Sequence, residues 1–366
     1  MRMGVIPSSA VEWAAVRFDL GPIPAVEAIF GMLHSRAIMA GVRLGIFEAL
    51  AGPTMTAAEL ASRLRLEPEG TRLLCDALVA GRYLQRDSAR RYALTRRSRR
   101  YLLATSPAYV GHYVEYNYDQ WDWMGHLEDA VRTGRALDVH QTLDAESGGW
   151  VRYLEGLADL ARASASEIAA KVPMPARLGK TPRRLLDVGG GHGTFSVALC
   201  RRYGDLEAEI LDLPPSAAAG EPIARRYAGP GVADRVHYRP GDALDGALGP
   251  EASYDAVLIF QLLHHLPVER LPDLFRRAVA VLRPGGSLSV IDLLEPAHGR
   301  PPDATAAYAA LHFHLTSGGQ SYTPEQVEAW MAGAGCIGIR RRSLLRVPGQ
   351  PLISGFRGPA TGSPPA

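Results

Sequence analysis

The segment Leu185-Leu-Asp-Val-Gly-Gly-Gly-His-Gly193 places an acid ahead of glycines at alternate positions, Asp187-x-Gly189-x-Gly191-x-Gly193. It follows an apolar run with strand character and precedes a helical stretch. Glycines there permit a tight turn and let backbone N–H groups approach a ligand closely. The helix N-terminus that follows favours a negative group such as a carboxylate. A dinucleotide fingerprint needs its third glycine at position 194, where this chain has Thr194, and no Lys-Ser/Thr pair follows as in a phosphate-binding loop. Two later acids narrow the ligand. Asp212 ends a second strand, 19 residues after Gly193, where an acid can accept from both hydroxyls of a ribose. Asp242, in Pro240-Gly-Asp-Ala243, follows a third strand, where an acid can accept from an adenine amino group. The series Asp187, Asp212, Asp242 suits a ligand with adenine, ribose and an amino-acid moiety but no phosphates.

A second group of residues can move protons. His264 and His265 follow a fourth strand, Ala256–Ile259, after a short connection. Ligands of parallel sheets bind at the carboxyl ends of strands, and a histidine can act as a base near neutral pH. Further along, Leu311-His-Phe-His-Leu315 adds His312 and His314. Two apart on a helix, they do not share a face, so one of them is expected to point inward. One of these with His264 or His265 and a carboxylate would make a two-histidine, one-carboxylate metal site. The plainer reading, adopted here, is one pocket-lining residue, one surface residue and no metal.

These residues need elements to hold them. Residues 1–24 read as an N-terminal arm, with Pro7, Pro22 and Pro24. Residues 25–103 read as helices followed by a small hairpin, a winged-helix arrangement. Thr56 with Glu59 gives a capping box, Pro68 opens a further helix, and Tyr83-Leu84 and Tyr92-Ala-Leu94 flank a polar tip. Residues 104–180 read as a helical linker that contributes to a substrate pocket, with Tyr113, Tyr116, Tyr118, Trp121 and Trp123 crowded together. Residues 181–357 alternate strands (184–188, 208–211, 236–238, 256–259, 287–291) with helices (194–203, 222–227, 271–282). That pattern predicts a doubly wound α/β domain with a parallel sheet covered on both faces. Residues 358–366, rich in Gly, Pro and Ser, read as a disordered tail.

Taken together, the motifs resemble the class I S-adenosylmethionine-dependent methyltransferases, and among them the small-molecule O-methyltransferases with an N-terminal winged-helix dimerisation domain (the caffeate, hydroxyindole and bacterial polyketide types). The resemblance covers about residues 27–356. It rests on the glycine loop, Asp212-Leu-Pro214, Gly241-Asp242, Leu263-His-His265, Leu282-Arg-Pro-Gly-Gly286 and Gly318-Gly319. It implies S-adenosylmethionine as cofactor and S-adenosylhomocysteine as product. The implied cofactor set is Asp187, Gly189, Gly190, Gly191, Gly193, Asp212, Leu213, Gly241, Asp242, Ala243 and Gln261. In the family, Leu-His-Asp-Trp stands at 263–266 and its histidine is the general base. That role maps to His264, while His265 takes the place of the acid. Asp292, in Val290-Ile-Asp-Leu293, matches an acid that orients the base. Ser321 stands where a second such acid is usual, so the base is expected to have one acidic partner. His265, His312, His314, Tyr116 and Trp121 are the expected acceptor contacts. The partners implied are a small-molecule acceptor and a second copy of the chain.

Composition fits this reading. A net charge of +2 gives no drive toward nucleic acid or an anionic membrane. The three cysteines lie far apart and form no metal pair or disulfide framework. No basic segment leads into an apolar core at the N-terminus, and no apolar run approaches the roughly 20 residues of a membrane span, so a cytoplasmic location is expected. Three other readings remain open. One is a C-methyltransferase with a histidine-based metal site. A second is a same-fold hydroxylase, decarboxylase or cyclase that uses the cofactor without methyl transfer. The third is a cofactor-sensing DNA-binding regulator, suggested by the eight arginines between Arg82 and Arg100.

Overall fold

The computed structural model describes residues 7, 9–143, 148–176, 181–296, 301, 303–347 and 349–359. Residues 1–6 and 8 of the expected arm and 360–366 of the expected tail lie outside the described residues. The chain divides into two compact units, Met1–Gln120 and Trp121–Ala366.

The first unit begins with α1 (Ala10–Arg17) and α2 (Ile23–Arg43). Pro24 falls in the first turn of α2, where a missing N–H costs nothing, so the helix starts ahead of the expected boundary at 25. Then come α3 (Ile46–Ala49), α4 (Ala57–Leu64) and α5 (Pro68–Ala80). The capping box forms: the Glu59 N–H donates to Thr56 Oγ1 at 3.3 Å and the Thr56 N–H to Glu59 Oε2 at 2.7 Å. Strands β1 (Leu84–Arg86) and β2 (Tyr92–Leu94) pair antiparallel, and α6 (Arg96–Tyr101) follows. Ile46, Phe47, Leu50, Leu60, Leu78, Leu84, Tyr92 and Leu94 are sealed in its core. Several of the arginines between Arg82 and Arg100 serve the unit itself: Arg86 pairs with Asp76, Arg91 pairs with Glu59, and Arg99 donates to the Ala51 carbonyl.

Helix α2 buries only Met39 and Gly41 of its 21 residues and exposes Ile29, Phe30, Met32 and Leu33. By length and composition alone it is apolar enough to cross a membrane. This corrects the expectation that no such run exists: Glu27 and Arg36 interrupt the run in sequence without lowering its average enough. Helix α7 (Gly111–Met124) spans the division between the units.

The second unit contains α8 (Leu127–Thr133), α9 (Val139–Thr142) and α10 (Gly149–Lys171), followed by the alternating region. Its strands are β3 (Arg183–Val188), β4 (Leu206–Asp212), β5 (Val236–Pro240), β6 (Tyr254–Phe260), β7 (Leu282–Ile291), β8 (Cys336–Arg342) and β9 (Leu352–Arg357). They form one seven-stranded sheet in the order β5-β4-β3-β6-β7-β9-β8. The first five are parallel, while β9 runs antiparallel to β7 and β8 antiparallel to β9. The parallel sheet expected from sequence is present, and these two antiparallel strands, not expected from sequence, extend it at one edge. Gly338 and Gly355 break their patterns, and Arg340, Arg341 and Arg342 make the edge strand polar, as exposed edges require.

Helices cover both faces, because successive strand residues point to opposite sides. Leu186, Val188, Val257 and Ile259 pack with Leu274 and Phe275 of α13 (Leu271–Val281) and Met331 of α15 (Pro324–Gly333). Leu185, Ile210, Ala256 and Leu258 pack with Ile168 of α10, Val197 of α11 (Thr194–Arg202) and Ala224 of α12 (Pro214–Ala228). Helix α12 starts eight residues before the expected Pro222. Pro214 occupies its first turn and Pro222 lies inside. All five parallel strands end at the same edge, and the chemistry-bearing loops leave from it.

One contact ties α12 to that edge. A Cβ at Gly220 would stand 2.1 Å from the Gly191 carbonyl oxygen, a backbone atom. Gly220→Ala is expected to cost about 1–3 kcal/mol through overpacking, read as a lowered midpoint in denaturant unfolding. An unchanged midpoint contradicts the close approach.

Candidate active site

Strand β3 delivers Asp187 to the glycine loop. Its carboxyl is buried, and the Ser196 hydroxyl donates to Oδ2 at 2.6 Å. Burial pushes this carboxyl up to about 7; the Ser196 bond opposes the rise and the Asp212 charge adds to it. The loop lies directly over it: a Cβ at Gly190 would stand 2.6 Å from Asp187 Cγ. Gly189, Gly191 and Gly193 take φ of 70°, 47° and 67°. The Gly191 N–H donates to Asp212 Oδ2 at 2.7 Å, the Leu213 N–H donates to Oδ1 at 2.8 Å, and the Tyr238 hydroxyl donates to the Gly191 carbonyl at 2.8 Å. Burial holds Asp212 above the usual carboxylate range, with the Gly191 N–H bond opposing. The Gly241 N–H donates to the Asp212 carbonyl at 2.8 Å, which brings the exposed Asp242 and half-buried Ala243 beside it. Gln261, just past β6, takes a φ of 53° and donates from Nε2 to Gln350 Oε1 at 2.5 Å.

The cofactor candidates thus gather along the ends of β3, β4, β5 and β6. Asp212 keeps lone pairs beyond its two amide bonds, as ribose hydroxyls require. The loop 189–193 has neither lysine nor arginine for a phosphate. Its close-packed glycines let main-chain groups approach a ligand closely. These residues fit S-adenosylmethionine.

The histidine centre is built from β6, β7 and α14 (Ala304–Ser317). Asp292 leaves β7 buried and accepts three bonds: from Leu263 N–H at 2.8 Å, from Leu293 N–H at 2.7 Å and from His264 Nδ1–H at 2.5 Å. The bond at Nδ1 leaves Nε2 of a neutral His264 as the acceptor. Phe313 stacks on the His264 ring, centroids 3.7 Å apart and planes 14° apart. The Gly318-Gly319 motif has a steric basis, since a Cβ at Gly319 would stand 1.7 Å from the His264 carbonyl oxygen.

More imidazoles surround His264. The His265 ring centre is 4.0 Å from that of His264 and 4.5 Å from that of His140 on α9, and His265 Nδ1 is 3.1 Å from Ser317 Oγ. His140 Nε2 is 3.3 Å from the Tyr153 hydroxyl, with the Trp150 ring 5.9 Å away. Burial, then the neighbouring His264, pushes His140 down to about 4; the same causes in the same order depress His265 and His312. Burial raises the Tyr153 phenol and the Asp212 charge adds to the rise, so α10 links the histidines to the acid of β4.

The structure therefore brings His264, His265, His312 and Asp292 together. His314 points elsewhere, with Nε2 3.4 Å from the Ala130 carbonyl. Tyr116 is buried in the first unit with its ring 6.1 Å from Tyr113, and Trp121 opens the second unit, half-buried. Ser321 Oγ is buried and has no hydrogen-bond partner among the described residues. Among the described residues no group of three or more His, Cys, Asp or Glu is arranged to hold a metal ion. Sequence reasoning missed His140, Trp150, Tyr153 and Phe313. The first three lie more than a hundred residues from His264 with no motif to mark them, while Phe313 stood between the two histidines already singled out.

Residues 185–286 match a methyltransferase domain and residues 26–104 match an O-methyltransferase dimerisation domain. The chain is 29% identical over 327 residues to 3-hydroxy-5-methyl-1-naphthoate 3-O-methyltransferase of Streptomyces sahachiroi, covering 87% of this chain and 90% of that one. It is 28% identical over 335 residues to acetylserotonin O-methyltransferase of Bos taurus, covering 85% and 91%. In fold it is similar to human N-acetylserotonin methyltransferase, solved in complex with S-adenosylmethionine, with a TM-score of 0.77, 21% identity and coverage of 97% and 100%. A glycine loop over a buried acid, a second acid at the end of the next strand, and matches to both domains lead to one conclusion: the chain joins a methyltransferase domain to an N-terminal O-methyltransferase dimerisation domain, the organisation of S-adenosylmethionine-dependent O-methyltransferases.

Proposed function

We propose that the enzyme transfers the methyl group to a hydroxyl of an aromatic or polyketide-like small molecule, with His264 as general base and Asp292 as its orienting acid. The observation that carries this reading is the 2.5 Å bond between His264 Nδ1 and Asp292 Oδ1 in a buried setting. Asp187, the loop 189–193, Asp212, Leu213, Gly241, Asp242, Ala243 and Gln261 would hold S-adenosylmethionine, which when bound supplies an electrophilic methyl group. Asp292 keeps the His264 ring in one orientation with its proton on Nδ1. The Nε2 lone pair then takes the acceptor hydroxyl proton as the oxygen becomes a nucleophile. The carboxylate stabilises the imidazolium formed, the role an acid plays behind a catalytic histidine elsewhere. Phe313 packs one ring face and helps exclude water. His265, His312 and the aromatic rings of Trp150 and Tyr153 make a wall of neutral polar and flat groups suited to a planar acceptor. The naphthoate and acetylserotonin named for the relatives support that acceptor class.

The enzyme is further proposed to work as a homodimer. The dimerisation-domain match and the exposed Ile29, Phe30, Met32 and Leu33 of α2 support it, since an apolar face of that extent calls for a covering surface. Sedimentation is expected to give twice the chain mass at micromolar concentration; a monomer contradicts this.

Methyl-labelled S-adenosylmethionine incubated with hydroxynaphthoates and N-acetylserotonin is expected to give an O-methylated product. His264→Ala is expected to slow that transfer about 10²–10⁴-fold, the usual worth of a positioned base, without weakening cofactor binding. Full transfer by the variant sinks the base assignment, and label on carbon sinks the hydroxyl as acceptor.

A further inference from the structure

Helix α11 lacks the usual start. Its N-cap is Gly193, which has no side chain to accept a first-turn N–H, where Ser, Thr, Asp or Asn normally stands. The residue before the cap does this work instead. His192 turns its ring forward, and the Thr194 N–H donates to Nδ1 at 3.1 Å in buried surroundings. The pattern, from a side chain at i to the N–H at i+2, is that of an Asx turn, with an imidazole nitrogen in place of the carboxamide oxygen. It requires a neutral ring with its proton on Nε2. The surroundings favour that form: burial, then the positive charge of Arg162, pushes His192 down to about 4. The Phe195 ring packs against it at 5.9 Å.

The position of this bond gives it weight. His192 lies between Gly191 and Gly193, both in the left-handed region at φ of 47° and 67°. Glycine on either side leaves the backbone free to take many forms, and His192 is the one side chain between them. The form it fixes aims the Gly191 N–H at Asp212 and the Gly191 carbonyl at the Tyr238 hydroxyl. We infer that His192 is a positioning residue for the cofactor: by accepting the Thr194 N–H through Nδ1 it caps α11 and locks the loop 189–193 in its binding form. It acts through the loop, with no contact to the ligand required.

Two substitutions separate this role from mere packing. Asparagine can make the same i to i+2 bond, and leucine fills space without an acceptor. With S-adenosylhomocysteine titrated calorimetrically into each full-length protein, His192→Leu is expected to bind about tenfold more weakly, the upper range for one hydrogen bond. His192→Asn is expected to stay within about threefold of the parent, since it keeps the acceptor. A leucine variant that binds as tightly as the parent overturns the inference, as does an asparagine variant as weak as the leucine one. The parent protein provides a second test that needs no substitution. In ¹⁵N-histidine spectra of the ligand-free protein, His192 is expected to show a bare Nδ1 and a protonated Nε2. A proton on Nδ1 overturns the inference even if a variant fails to fold.

Discussion

Asp292 accepts three N–H groups in a place where water cannot substitute for them. A buried carboxylate is costly unless it is bonded in this way, so the three donors must stay where they are. Two of them are backbone groups, at Leu263 and Leu293, which tie the turn after β6 to the turn after β7. The third is the His264 ring. One carboxylate thus fixes both the path of the turn that carries His264 and the orientation of its imidazole, with the stacked Phe313 and the Gly319 contact packed against them.

The glycine loop 189–193 is held by the same kind of constraint. Asp187 lies beneath the loop and Asp212 beside it, and each accepts from a group of the loop or of the helix after it. The cofactor half and the histidine half meet at α10, where Tyr153 approaches His140 on one side and feels Asp212 on the other. A parallel sheet makes this economical: neighbouring strands end together, so Gly191 and Asp212, 21 apart in sequence, and His264 and Asp292, 28 apart, come within hydrogen-bonding distance.

Residues whose chemistry is local were legible in the sequence. The glycine loop, Asp212, Asp242 and His264 stand at or just past the ends of strands, where period and turn chemistry place them, while Asp292 was marked by the family resemblance. The capping box at Thr56 was legible for the same reason. The aromatic and histidine wall was not, because His140, Trp150 and Tyr153 come from α9 and α10, and only tertiary packing brings them to His264. Strands β8 and β9 were hidden by their own glycines and arginines, features of an edge that sequence patterns read as loop. His192 was quoted as part of the loop motif, yet its bond to Thr194 depends on backbone angles that composition does not reveal.

The central claim is that Asp292 holds the His264 proton on Nδ1 and leaves Nε2 bare. Long-range ¹H–¹⁵N spectra of the histidine-labelled protein, with His264 assigned by its loss in a His264→Gln variant, test it without knowledge of the acceptor. The account predicts a protonated Nδ1, its proton far downfield and slow to exchange, and an unprotonated Nε2. A neutral ring with its proton on Nε2 would contradict it.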